Sequence, residues 1–141
     1  MKMKRIVAGA VIVVMLLAGM SWAANAEKEK AAVAAAEKWL ALVDAAEYSE
    51  SWKEAADYFR SAVKQGQWEQ SLRSVRMPLG EVISRKLIAT SYQTALPGAP
   101  DGQYEIIQFE TSFQNKKSAI ETVTPMLDKD GRWRVSGYYI K

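Results

Sequence analysis

Between Tyr104 and Lys141 apolar and polar residues alternate with a period of two, broken twice by short polar stretches. That rhythm predicts three strands of an antiparallel meander, because successive side chains of a strand point to opposite faces. The runs are Tyr104 to Phe113, Ile120 to Leu127 and Trp133 to Ile140. Asp128-Lys129-Asp130-Gly131 joins the last two and carries the Asp and Gly residues a tight hairpin favours. Gln114-Asn115-Lys116-Lys117 is the other expected turn. In the first run Ile107, Phe109, Thr111 and Phe113 share the face expected to be core. In the last, Trp133, Val135, Gly137 and Tyr139 form the drier face, against Arg132, Arg134, Ser136, Tyr138 and Ile140. Pro125 donates no ladder hydrogen bond and Gly137 fills no space, so each predicts a bulge, an edge or a close helix contact, and hence a bent sheet.

Upstream the period changes to that of a helix. Glu27 to Ala46 is rich in residues that lose little entropy on becoming helical, and Ala32, Ala36, Trp39, Leu40, Val43 and Ala46 fall on one stripe. Ser51 and Glu54 have the spacing of a capping box, opening a second helix that carries Trp52, Ala55, Ala56 and Phe59. After a break at Gly66, Trp68, Leu72 and Val75 recur at helical spacing until Met77-Pro78-Leu79-Gly80 ends a third helix. Val82 to Ala95 returns to strand-like alternation, and the Pro- and Gly-rich 96–102 turns it back on Tyr104 to Phe113. The expected fold is therefore α+β, with three N-terminal helices packed on one face of a curved four-stranded antiparallel sheet.

The N-terminus changes the reading of charge. Lys2, Lys4 and Arg5 precede an apolar run from Ile6 to Met20, and Ala24 and Ala26 form a small-residue cleavage site. Residues 1–26 thus read as a signal peptide cleaved after Ala26, leaving 27–141 as a single domain in the periplasm or outside the cell. The competing reading is an uncleaved membrane anchor, the one case in which a membrane would be a partner. No cysteine follows the apolar run, which excludes lipid attachment there. The whole chain carries 19 basic and 16 acidic residues. Removing Lys2, Lys4 and Arg5 leaves sixteen of each sign, so the basic balance belongs to the leader. No concentrated basic face remains for nucleic acid.

The alphabet excludes several chemistries. With no cysteine and no histidine there is no thiolate, no His-assisted nucleophile and no zinc site of the usual type. No phosphate-binding glycine loop opens a helix, and Asp128-Lys129-Asp130-Gly131 lacks the remaining ligands of a calcium loop. Neither a metal nor a cofactor is expected. Carboxylates and phenols remain: Asp44 at the end of the first helix, Glu121 beside Ala119 and Val123, and Tyr92 and Tyr139 on strands are the candidate ligand-binding residues. Each has a structural alternative, Glu121 in particular as a cross-strand partner of Arg85 or Arg134. The opposite sheet face, with Tyr92, Ile106, Thr122, Arg134 and Tyr138 among its residues, reads as a surface for a homodimer or another envelope protein.

Several stretches carry a resemblance. Trp39 to Asp44, Ser51-Trp52, Pro78-Leu79-Gly80, Ser84-Arg85-Lys86, 96–102, Asn115-Lys116-Lys117, Glu121 to Pro125 and Trp133 to Lys141 resemble the bacterial exported family catalogued as domain of unknown function 4019. The likeness runs from about Ala35 to the C-terminus. It implies an envelope protein of nuclear-transport-factor-like (cystatin-like) shape, and it brings no catalytic residue with it. The function expected is a non-catalytic binding or accessory domain. The alternative is a small-molecule enzyme or carrier with a pocket between the first helix and the sheet.

Overall fold

The first helix, α1 (Lys2–Asp44), buries the stripe its sequence prescribes: Ala32, Ala36, Trp39, Leu40 and Val43 are all within 4% of full burial. The computed structural model describes the backbone from Lys2 and the side chains from Ala23 to Lys141. The side chains of the expected leader, apart from those of 23–26, lie outside the described residues. Among the described residues no helix is long and apolar enough to cross a membrane. The chain divides into two compact units, Met1–Lys30 and Ala31–Lys141, and the second holds the core and the sheet.

Ala46 falls past the helix end and off the buried stripe, contrary to the periodicity. It takes a left-handed φ of 60°, with Ala46 N–H donating to Val43 O at 3.0 Å and Glu47 N–H to Leu42 O at 2.9 Å. Those two bonds are the Schellman closure of a helix C-terminus.

Among the described residues four helices precede the sheet rather than three. The expected second helix is two short ones, α2 (Tyr48–Lys53) and α3 (Asp57–Ala62). Ala56 between them is extended, and its N–H donates to Val135 O of the sheet at 2.8 Å, which takes it out of any helical ladder. Ser51 is not a cap. It lies inside α2, where its hydroxyl donates to Tyr48 O and accepts from the Trp68 indole. The last helix, α4 (Gln65–Leu79), contains Gly66 in its first turn instead of breaking there. It ends at Gly80, whose φ of 75° and close approach to Gln114 leave no room for a Cβ: one would lie 2.8 Å from Gln114 Oε1.

The strands are β1 (Val82–Gln93), β2 (Tyr104–Phe113), β3 (Lys116–Leu127) and β4 (Trp133–Ile140), antiparallel and in chain order across one sheet. The β2–β3 turn is only Gln114-Asn115, so β3 begins four residues earlier than its apolar pattern suggested. Ile107, Phe109 and Val123 join the α1 stripe, Trp68 and Leu72 in one core. Within it, Trp39 lies 6.1 Å from Trp68 and 5.2 Å from Tyr138, and Phe59 meets Trp68 edge-on at 4.8 Å.

The register of β4 overturns half of its predicted alternation. Thr124 faces Gly137 whereas Pro125 faces Val135, so Ser136 is an extra residue. Pro125 offers no N–H to continue the ladder, and beyond the bulge every side chain changes face. Tyr138, partner of Val123, therefore packs on the core, and Tyr139, partner of Thr122, is 58% exposed. Trp133 and Val135, before the bulge, lie where the pattern put them. Two further bulges in β1, at Ile83 and Ile88, bend the other side of the sheet.

Candidate functional site

Two of the four residues singled out from sequence come together, and an arginine joins them. Glu121 projects from β3 on the helix-facing side of the sheet, where it is fully buried. It accepts hydrogen bonds from Arg85 Nε at 2.8 Å, from Thr111 Oγ1 at 2.5 Å and from the Tyr138 hydroxyl. The same Arg85 reaches Asp44 with both terminal nitrogens, Nη1 to Oδ2 at 2.7 Å and Nη2 to Oδ1 at 3.0 Å. Arg76 of α4 adds a third bond to Asp44, Nη2 to Oδ1 at 2.7 Å. Two carboxylates and two guanidiniums thus close a neutral cluster between helix ends and sheet. That suits burial, since an unpaired charge there would cost several kcal/mol, roughly 3–5.

Electrostatics follow from the partners. Burial pushes the Asp44 carboxyl up, but the hydrogen bonds and charges of Arg85 and Arg76 outweigh it and hold the group below the usual carboxylate range. Burial likewise works against the Arg85 cation, and Asp44 and Glu121 more than restore it. The Tyr138 phenol is pushed up first by burial and then by the adjacent Glu121 charge, so it remains a donor. Asp44 sits at the C-terminal end of α1, where the helix dipole disfavours negative charge. Its two arginines supply the compensation.

Arg76 is the residue sequence reading missed. Val75 was the expected third member of the α4 stripe, yet Val75 is 46% exposed and Arg76 is 5% exposed. Its guanidinium lies 5.0 Å from the centre of the Phe113 ring, a cation–π contact that covers the cation. Its Nε and Nη1 make no hydrogen bond. The spacing Trp68, Leu72, Arg76 continues the helical period, so the signal existed, hidden by the charge.

The other two candidates stand apart from this cluster. Tyr92 lies on the Glu105 side of β1, not on the outer face expected for it, and donates to Gln103 Oε1 at 3.1 Å. Tyr139 is turned outward by the bulge, and Tyr138 holds the position beside Glu121. The outer face therefore loses Tyr92 and Tyr138.

An open cleft lies elsewhere. It has a volume of about 300 Å3 and runs between α1, the end of α2 and the start of β4. Trp39, Leu42, Trp133 and Val135 make its apolar surface, and Lys38, Glu50, Glu54, Arg132 and Arg134 its charged rim. Both tryptophans are held from behind: the Trp39 indole donates to Ser51 O at 2.8 Å, and Trp133 packs against the core. A second, more polar hollow of about 350 Å3 adjoins it and shares Glu54, Arg132 and Arg134. Here the β3–β4 hairpin sets the charges. Gly131, at φ 82°, closes the turn, and Arg134 grips Asp128 at 3.0 Å and Asp130 at 2.7 Å. The Arg134 guanidinium, helped by the Arg132 N–H, holds Asp130 down at about 2.

A family model described as a protein of unknown function, DUF4019, matches residues 35–138. The chain belongs to the DUF4019 family. No curated protein and no solved structure matches it. The DUF4019 span takes in every residue of the ion cluster, from Asp44 to Tyr138, and every residue of the cleft, from Ala35 to Val135.

Proposed function

We propose that this chain is a non-catalytic binding domain of the bacterial cell envelope, exported with cleavage after Ala26, and that its site is the cleft walled by Trp39 and Trp133. One contrast carries the reading. Asp44 and Glu121, the carboxylates that chemistry would need, are held by Arg76, Arg85, Thr111 and Tyr138. A general base needs a free lone pair within reach of the substrate, at about 3 Å. Glu121 has no exposed surface from which to offer one. The cleft, by contrast, is open, apolar at its base and polar at its rim, as small-molecule sites are.

The arrangement of a long first helix over a sheet bent by bulges, with a cleft between, is in this reading a nuclear-transport-factor-like cone. Export rests on the basic, apolar and small-residue order of residues 1–26. The test is to express the full gene in a bacterium, fractionate the cells and analyse the purified protein by N-terminal sequencing and native mass spectrometry. The expected result is a periplasmic protein beginning at Glu27 with a non-covalent small-molecule adduct that Trp133→Ala loses. A cytoplasmic protein that keeps residues 1–26 would overturn the export half. An adduct retained undiminished by Trp133→Ala would overturn the cleft.

A further inference from the structure

The charges around the cleft are not equally committed. Arg134 is engaged by Asp128 and Asp130, and Glu50 pairs with Lys53 at 3.5 Å. Lys38, on the α1 wall, and Arg132, on the β-hairpin wall, form no ion pair among the described residues. Glu54 is the one rim carboxylate in the same condition. The rim outside these ion pairs therefore carries two cations, Arg132 also feeling the Asp130 charge, against one anion, on opposite walls of the cleft.

Resting on the cleft as the binding site, we infer that its ligand is a small, flat, apolar molecule carrying one carboxylate. The flat body lies against the half-buried Trp133, for which a planar π-system gives the best contact area, with the edge of the buried Trp39 at the base of the cleft. The carboxylate meets Lys38 and Arg132; an arginine matches its two oxygens in a planar fork. A cationic head is disfavoured by the same two side chains. Size is limited as well, since about 300 Å3 is at the lower end of the range for ligand pockets, roughly 300–1,000 Å3. Glu54 remains to accept a hydrogen bond from an N–H on the ligand's ring.

The test holds the ring constant and changes the charge. Indole-3-acetate, indole-3-acetamide and tryptamine are titrated calorimetrically into the purified protein at pH 7. The acetate is expected to bind at least about fivefold more tightly than the amide, a little under the tenfold that corresponds to about 1.4 kcal/mol, and tryptamine most weakly. In Lys38→Met/Arg132→Met the preference for the acetate should collapse, the ratio of acetate to amide affinity falling to about one. Both side chains are exposed, so a melting curve matching the parent's certifies that the variant folds. Equal binding of acetate and amide, or tightest binding of tryptamine, overturns the carboxylate inference and leaves the cleft standing. Failure of all three probes overturns both.

Discussion

The ion cluster and the cleft are built from the same parts, carboxylates and guanidiniums beside aromatic rings, and they differ in what is left over. In the cluster, Asp44 and Glu121 accept three hydrogen bonds each, from Arg76, Arg85, Thr111 and Tyr138, and charge balances within the protein. In the cleft, Lys38, Arg132 and Glu54 stand uncommitted around Trp39 and Trp133. The lesson is that a buried carboxylate beside a tyrosine identifies a site only when it retains capacity to bind something else. Here the residues that look chemical hold the helices to the sheet, and the residues that look like core and surface make the opening.

The sharpest way to break that comparison is to remove one arginine from each region. Arg85→Met leaves the fully buried Glu121 without its cation and removes two of Asp44's three hydrogen bonds, so chemical denaturation should show a loss of about 3–5 kcal/mol. Arg132→Met should change stability by less than about 0.5 kcal/mol, as surface substitutions usually do. Replacing both partners, Arg85→Met with Glu121→Met, should recover much of the loss, because no buried charge is then left alone. Acid sharpens the point. The Asp44 carboxyl is depressed in the folded state, so its contribution is fully present above its unfolded pKa of about 4 and is lost as pH falls below that. Melting temperature followed from pH 7 to pH 2 should drop in this window, and the drop should shrink in Arg85→Met. A parent-like profile in that variant would mean Arg85 does not hold Asp44.

A smaller effect separates two adjacent tyrosines. Tyr138→Phe removes a donor to a buried carboxylate, for which about 1.5–3 kcal/mol is usual, whereas Tyr139→Phe deletes an exposed hydroxyl and should be nearly neutral. The reverse order of the two would mean that β4 keeps strict alternation and that no bulge lies at Ser136.

This pair also marks how far the sequence could be read. Turn chemistry and apolar period located β2 and β4 to the residue, and the α1 stripe from Ala32 to Val43 is buried as its spacing required. Those features are local, fixed by side-chain period and by glycine. What escaped was set by contacts distant in sequence. Ala56 leaves its helix for a bond to Val135, and Arg76 takes a core position because Asp44 and Phe113 receive it. Pro125 and Gly137 announced a bulge, but not which residue would be extra, and one residue's slip exchanges Tyr139 for Tyr138. Glu121 with Arg85 was legible as a cross-strand pair; its extension through Asp44 to Arg76 was not. The cleft was legible only as a place between helix and sheet, since its walls are residues that periodicity assigns to core and solvent.

The smallest expected effect asks what fixes Asp44 in the cluster, the arginines or the helix end two residues on. Ala46 holds a left-handed φ of 60° to close the Schellman bonds. For a residue with a Cβ that conformation costs about 1–2 kcal/mol, which glycine avoids. Glycine gives back part of the gain, about 0.4–1 kcal/mol, through the greater freedom of the unfolded chain. Ala46→Gly should therefore stabilise the protein by about 0.5–1 kcal/mol, read as a shift of the urea midpoint without a change in slope. If the helix stop positions Asp44 independently, the gain should persist undiminished in Arg85→Met. If the arginines pull Ala46 into its strained turn, the two substitutions should couple, and the gain from glycine should vanish once Arg85 is gone.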